Sequence, residues 1–277
     1  VDSLPAFPKD NTDRNRTSPF AFTGNKFEFR SLGSSLSISG PNTTLNAIVA
    51  NTLKQFADEL EKAKDFENSL HKLIRREITE HWKIIFNGNG YDSSWVEEAQ
   101  QRGLLNLKTL PDAMAEYLNP KNIKLFTDMG VYTQIEMESH YDIKLEKYCQ
   151  VLNIEVETML EMINKDILPA VFKYMNAISD TVIKVKQAFP EAECSAEKIL
   201  LQKLDSHVNN LSKKADEIWI KHNEANKLTN IMECAKAYAN EILPAMEEAR
   251  YFADEMEPLL GEEYKPFPSY EDLLFRI

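Results

Sequence analysis

The spacing of apolar positions changes period once along the chain. Between Phe20 and Arg30, polar and apolar residues alternate in Lys26-Phe27-Glu28-Phe29-Arg30. That is the two-residue period of strands. Turn-forming residues surround this segment, among them Pro19, Gly24, Gly33, Gly40 and Pro41. From Asn42 onward the period is helical almost throughout. Asn42 or Thr43 stands where an N-cap is expected, ahead of a stripe of Leu45, Ile48, Val49, Leu53, Phe56 and Leu60. A second helix running to about Ile84 carries His71, Ile74, Ile78 and Trp82. The stretch NGNGYDSS at 87–94 predicts a loop, with Ser93 or Ser94 capping the next helix. Residues 95–130 read as short helices interrupted at Gly103, Pro111, Pro120 and Gly130.

The last 120 or so residues hold three long stripes. Val156, Leu160, Ile163, Ile167, Ala170, Tyr174 and Ala177 form one. Leu201, Leu204, Val208, Leu211, Ala215 and Ile218 form the second. The third runs from Leu228 and Ile231 through Ala235, Tyr238, Ile242, Ala245, Ala249 and Phe252 to Met256. Steps of three and four average the period of antiparallel bundles. A tight pair over about 196–222 and 226–256 is predicted. DILPA at 166–170 and EILPA at 241–245 share phase with their stripes, which fits either a duplicated helix or two bundle helices with tolerated proline kinks. The predicted fold is mostly α: a short antiparallel β segment followed by a long-helix bundle.

The 277 residues carry a formal net charge of −12, which argues against a duplex nucleic-acid binder. The first 30 residues are an exception, with five basic groups against four acidic ones. No apolar run reaches the roughly 18–20 residues of a membrane span, so no membrane partner is expected. Cys149, Cys194 and Cys234 are scattered and form no C-x-x-C pair, which points to a reducing, cytoplasmic compartment. The turn-rich opening, without an initiator Met, reads as cut from something longer.

In a strand, Lys26, Glu28 and Arg30 share one face and Phe27 and Phe29 the other. The phenylalanines are expected to pack into a core. The charged face has two readings. It is either an exposed strand with salt bridges, or a site where a carboxylate holds a divalent cation while Lys and Arg neutralise phosphoryl oxygens. Arg14 and Arg16 in DRNRT lie a short turn upstream. Gly24-Asn25 suits a tight connection that would set Phe20-Ala21-Phe22 beside Phe27-Glu28-Phe29.

NRTSPFAFTGNKFEFR followed by GPNTTLNAIVA resembles the C-terminal end of the catalytic domain of glutamine synthetases, most closely the long type III group. VYTQIEMESHYDIKLEKYCQVLNIEVETMLEMINKDILPA is similar to the helical C-terminal extension of that group. The resemblance covers essentially the whole chain. It implies that residues 1–66 are the end of an α/β catalytic domain, 67–130 connecting helices, and 131–277 a helical-bundle extension. It further implies ATP-dependent joining of glutamate and ammonia through γ-glutamyl phosphate, with Mg2+ or Mn2+. Glu28 matches a metal carboxylate of the family. Arg30 matches the catalytic arginine that contacts glutamate and the phosphoryl group. Lys26 matches a basic residue near the ATP phosphates, and Arg16 the catalytic arginine at the phosphate and substrate end. A homo-oligomer of stacked rings is implied as well.

Two departures stand out. Ala21 occupies a position where many members carry another arginine. The family's other metal carboxylates, metal histidine and ammonium-site aspartate precede the matched segment, so the chain is expected to be inactive alone. A second reading, a non-catalytic helical interaction module, stays open at this level. Other clusters have bland readings: Glu136, Glu138, His140 and Asp142 as a solvated helical face, His71 and His81 as core or rim residues, Cys149 and Cys234 as small buried residues. NGNG lacks the spacing and trailing Lys of a phosphate loop.

Overall fold

The computed structural model describes residues 20–22, 27–30, 33, 36–86, 90 and 92–275. Arg16 and Lys26 lie outside the described residues, as do residues 87–89 of NGNG. The chain is mostly helical with a short antiparallel ladder, as the periodicity predicts. It divides into two compact units, Val1–Lys108 with Glu116–Met137 and Thr109–Ala115 with Glu138–Ile277.

The first unit begins with the ladder of β1 (Phe20–Phe22) and β2 (Phe27–Phe29). Helix α1 spans Ser39–Leu60, so it starts ahead of the expected caps. Ile38 occupies the cap position without a side-chain bond. Pro41 sits in the first turn, where a missing N–H costs nothing because those donors have no intrahelical acceptor. Of the apolar stripe, Ile48 and Leu53 face solvent and Leu45, Val49, Phe56 and Leu60 are half-buried, while the buried residue of α1 is Ala47. Ala47 joins Phe126 and Met137 in a small core flanked by Tyr117, Leu118, Ile123 and Tyr132. The small alanine is the position at which α1 lies against α5 (Pro120–Asp128).

Helix α2 (Phe66–Glu80) is capped by Asp65, whose carboxylate accepts from the Asn68 N–H at 3.1 Å. It buries Leu73 and leaves Ile74 and Ile78 exposed; it ends short of the expected Ile84, and Trp82 lies exposed in the 3-10 turn (Trp82–Ile84) that follows. Arg76 donates to both oxygens of Glu59 at 3.1 and 2.9 Å, joining α2 to α1. Helix α3 (Ser93–Gln101) is capped by Asp92 rather than by a serine, its carboxylate accepting from the Ser94 N–H at 2.9 Å. Trp95 of α3 stacks on Phe86 with centroids 4.0 Å apart, and the Arg102 guanidinium lies 5.4 Å from the Trp95 ring.

The predicted breaks fall where expected, but the two residue types act differently. Pro111 and Pro120 open helices, α4 (Leu110–Tyr117) and α5, where their fixed φ suits the first turn. Gly103 and Gly130 end helices with φ of +72° and +64°, a conformation that penalises any Cβ.

The second unit contains most of α6 (Gln134–Glu161), a π turn (Met162–Ile167), α7 (Leu168–Ala188), α8 (Ser195–Ala225), α9 (Ile231–Ala237), a second π turn (Tyr238–Ile242), α10 (Leu243–Met256) and α11 (Tyr270–Phe275). Helix α8 packs against α10 along one side and α7 along another. Its predicted stripe is the buried one: Leu204, Leu211 and Ile218 are fully enclosed. Ala235, Tyr238, Ile242 and Ala249 face them equally buried, and the alanines let the backbones approach closely. The predicted antiparallel pair is therefore present.

DILPA and EILPA adopt the same local structure. In each, the leucine N–H closes a wide turn on the carbonyl five residues back, Leu168 on Ile163 and Leu243 on Tyr238. The proline follows at once. A π turn relieves the lost donor and the ring clash of a mid-helix proline, so the helix passes through both sites.

Candidate functional site

The β ladder pairs Phe20 with Phe29, Ala21 with Glu28 and Phe22 with Phe27. Phe20-Ala21-Phe22 thus lies beside Phe27-Glu28-Phe29, as expected of a hairpin. Glu28 and Arg30, two residues apart, lean together on one face, with Arg30 Nη2 donating to Glu28 Oε2 at 2.9 Å. The Glu28 side chain is 22% exposed and that of Arg30 40%. Phe29 corrects the expectation of a buried ring: it is 38% exposed. A two-stranded ladder gives its rings only one neighbouring strand, and burial of a strand face needs a second layer.

A carboxylate and a guanidinium in contact can be held for each other, or for a cation and an anion. The observed ion pair satisfies the first description. It also fits the second, because a partly exposed pair is worth only about 0.2–1 kcal/mol. Exchanging it for a metal on Glu28 and a phosphoryl or carboxylate oxygen on Arg30 costs little. Glu28 offers the hard oxygen that Mg2+ or Mn2+ prefers. It is one ligand of the roughly six such an ion takes. Among the described residues no group of three or more His, Cys, Asp or Glu could hold a metal.

The other candidate clusters resolve into structural roles. Glu136 is part of a capping box at the start of α6: it accepts from the Thr133 N–H at 2.8 Å while its own N–H reaches the Thr133 hydroxyl at 3.3 Å. His71 is exposed, and His81 is exposed with its Nε2 3.3 Å from Glu77. Cys149 and Cys234 are both buried and adjacent. Burial, then the neighbouring Cys234 thiol, push the Cys149 thiol up to about 12, which removes it as a thiolate nucleophile.

His222 continues the buried stripe of α8 beyond Ile218. It is 2% exposed. Its Nδ1 lies 3.2 Å from the Tyr238 hydroxyl and its Nε2 3.2 Å from Asn226 Nδ2. The Tyr238 hydroxyl donates to Asn226 Oδ1 at 3.1 Å, so its oxygen can only accept from Nδ1–H. Nε2 then accepts from Asn226, whose amide also donates to Asn153 Oδ1 at 3.2 Å. The ring of bonds closes with neutral imidazole. Burial lowers the His222 pKa, opposed by Glu157, whose Oε1 is 3.8 Å from Nε2.

No helix among the described residues is long and apolar enough to cross a membrane. Residues 69–186 match the family model for the glutamine synthetase C-terminal domain. Over 282 aligned residues and 98% of this chain, a glutamine synthetase of Butyrivibrio fibrisolvens is 38% identical. A type-3 glutamine synthetase of Dictyostelium discoideum is 40% identical over 66% of this chain, and a glutamine synthetase of Bacteroides fragilis (strain YCH46) 30% identical over 99%. The chain spans 39% of the length of the Butyrivibrio and Bacteroides relatives and 25% of the Dictyostelium one. By its similarity from end to end and its C-terminal domain, the chain belongs to the glutamine synthetase family.

Proposed function

We propose that this chain is the C-terminal part of an ATP-dependent glutamate–ammonia ligase of the type III group. In this reading residues 1–66 end the catalytic domain, 67–130 connect, and 131–277 form a helical extension. The enzyme is cytoplasmic and a homo-oligomer of stacked rings, and it takes glutamate, ammonia and ATP with Mg2+ or Mn2+. The observation that supports it most is the 38% identity along the chain together with Glu28 and Arg30 on one face of the β ladder.

The residues divide the labour by charge. Glu28 supplies one hard oxygen to a divalent cation, which when bound draws charge off the phosphoryl oxygens. Arg30 leaves Glu28 for the glutamate γ-carboxylate and the phosphoryl group travelling to it, holding both in line. Lys26 and Arg16 neutralise ATP phosphate oxygens. The γ-carboxylate oxygen displaces ADP from the γ-phosphorus. Ammonia then displaces phosphate from the acyl carbon and loses a proton. Most of the work is positioning and charge neutralisation. One unit-charge pair at 4 Å is worth about 4 kcal/mol at an effective dielectric near 20.

Glu28→Gln in the intact enzyme tests this. The exposed ion pair contributes little to folding, so the melting temperature should stay close to the parent value. Turnover at limiting magnesium should fall by orders of magnitude. Near-normal turnover would reduce Glu28 to a salt-bridge partner of Arg30.

A further inference from the structure

The second unit carries a groove that the proposed chemistry does not use. Its cavity is about 510 Å³. One wall runs from Met159 through the first π turn to Val171, the other along α10 from Leu243 to Glu257. At about 1.5 Å per residue the walls are about 18 and 21 Å long. Ile163, Val171 and Met256 lie at its base, almost fully buried. Met159, Met162 and Met246 line its sides. Phe267, from the segment after α10, completes the lining.

Length decides the class of occupant. A compact ligand of this volume does not need two helical walls of about three to four turns each. An amphipathic helix laid between them does, presenting large side chains at i, i+3, i+4 and i+7. Methionines suit such a surface because an unbranched thioether adapts to varied side chains.

Charge decides its chemistry. The α10 wall carries Glu247, Asp254 and Glu257 against one cation, Arg250, whose Nε already donates to Asp254 at 3.2 Å. Three carboxylates against one guanidinium leave the rim acidic. That disfavours an anionic lipid surface. It also disfavours a second copy's α11: Tyr270, Leu273, Leu274 and Phe275 are exposed there, but the sequence places Glu271 and Asp272 among them. We infer that this groove docks an amphipathic helix of another protein, with large apolar residues on one face and Lys or Arg beside them. The inference stands apart from the ligase reading, and its test measures no turnover.

The test uses the whole chain and three fluorescent peptides in about 150 mM salt, an ionic strength that screens distant charges and leaves contacts. They are an 18-residue Leu/Lys amphipathic helix, the same helix with Glu for Lys, and residues 268–277 of this chain. Fluorescence anisotropy should show the Leu/Lys helix binding at least tenfold more tightly than the other two. Asp254→Lys with Glu257→Lys, both exposed positions, should weaken it at least tenfold, and so should Met162→Lys, whose side chain is 37% exposed and outside the core. Unchanged circular dichroism in these variants separates lost docking from lost folding. Equal binding of the Lys and Glu helices, unchanged affinity in both folded variants, or tighter binding of the 268–277 peptide would each overturn the inference. The last would identify a second copy as occupant.

Discussion

Acidification should destabilise the second unit through His222, and the size of the effect is bounded. In the folded chain His222 is a neutral ring in a closed set of bonds: Nδ1–H donates to Tyr238, and Nε2 accepts from Asn226. A proton on Nε2 would face the Asn226 N–H, donor against donor. Glu157, 3.8 Å away and largely exposed, compensates only in part. The folded pKa is thus below the ordinary value, with burial as the main cause. A base with a depressed folded pKa binds fewer protons folded than unfolded, so stability falls as pH falls. Nothing is lost above the unfolded value of about 6.5, and the loss accumulates below it until the folded pKa is reached. If the folded ring takes up no proton, the cost between pH 7.5 and 5.5 is at most about 1.4 kcal/mol. Urea unfolding followed by Trp219, whose ring centroid is 6.3 Å from His222, would measure it in a Trp82→Phe, Trp95→Phe background. His222→Gln removes the titration, and the difference in pH slope between the two proteins isolates this group from the carboxylates. Parallel slopes from pH 7.5 to 5.5 would refute the closed-ring assignment.

Ile218→Ala, at a fully enclosed position of α8, should cost about 2–5 kcal/mol by the same urea assay, and a loss below 1 would mean that the α8–α10 seam is not a packed core. Phe29→Ala in this chain should cost less than the roughly 3–5 kcal/mol of a fully buried ring, because the side chain is over a third exposed; a larger loss in chemical denaturation would restore the buried-core expectation. Asp92→Ala should lower the stability of α3 by about 0.5–2 kcal/mol through the lost bond to the Ser94 N–H, seen as faster amide exchange at residues 94–96, while Ser93→Ala should not.

The strand motif was legible because a two-residue period leaves Glu28 and Arg30 no choice but to share a face. The same holds for the α8 and α10 stripes, whose apolar residues are enclosed where their spacing places them. Caps were less legible. Ser93 and Ser94 have the right chemistry, but Asp92 competes for the same N–H groups one residue earlier, and Asn42 falls inside a helix that starts at Ser39. On α1, Ile48 and Leu53 form a regular stripe and still face solvent, while small Ala47 is buried, because close approach to α5 depends on backbone separation rather than hydrophobicity.

His222 marks the sharper divide. Its inward facing was legible, since it continues the α8 stripe four residues after Ile218, but its partners were not. It becomes a buried neutral ring only because α6, α8 and the second π turn bring Asn153, Asn226 and Tyr238 around it. The sequence by itself determined which residues face inward on α8 and α10 and which charges share the strand face, since periods of two and of about 3.6 are local properties of the backbone. The tertiary structure alone decided which helices meet, that both ILPA prolines sit beyond π turns, and that a groove with an acidic rim opens between their walls. Asn153 and Asn226 lie 73 positions apart, and pairs across the groove are comparably distant, a separation over which spacing carries no information about contact.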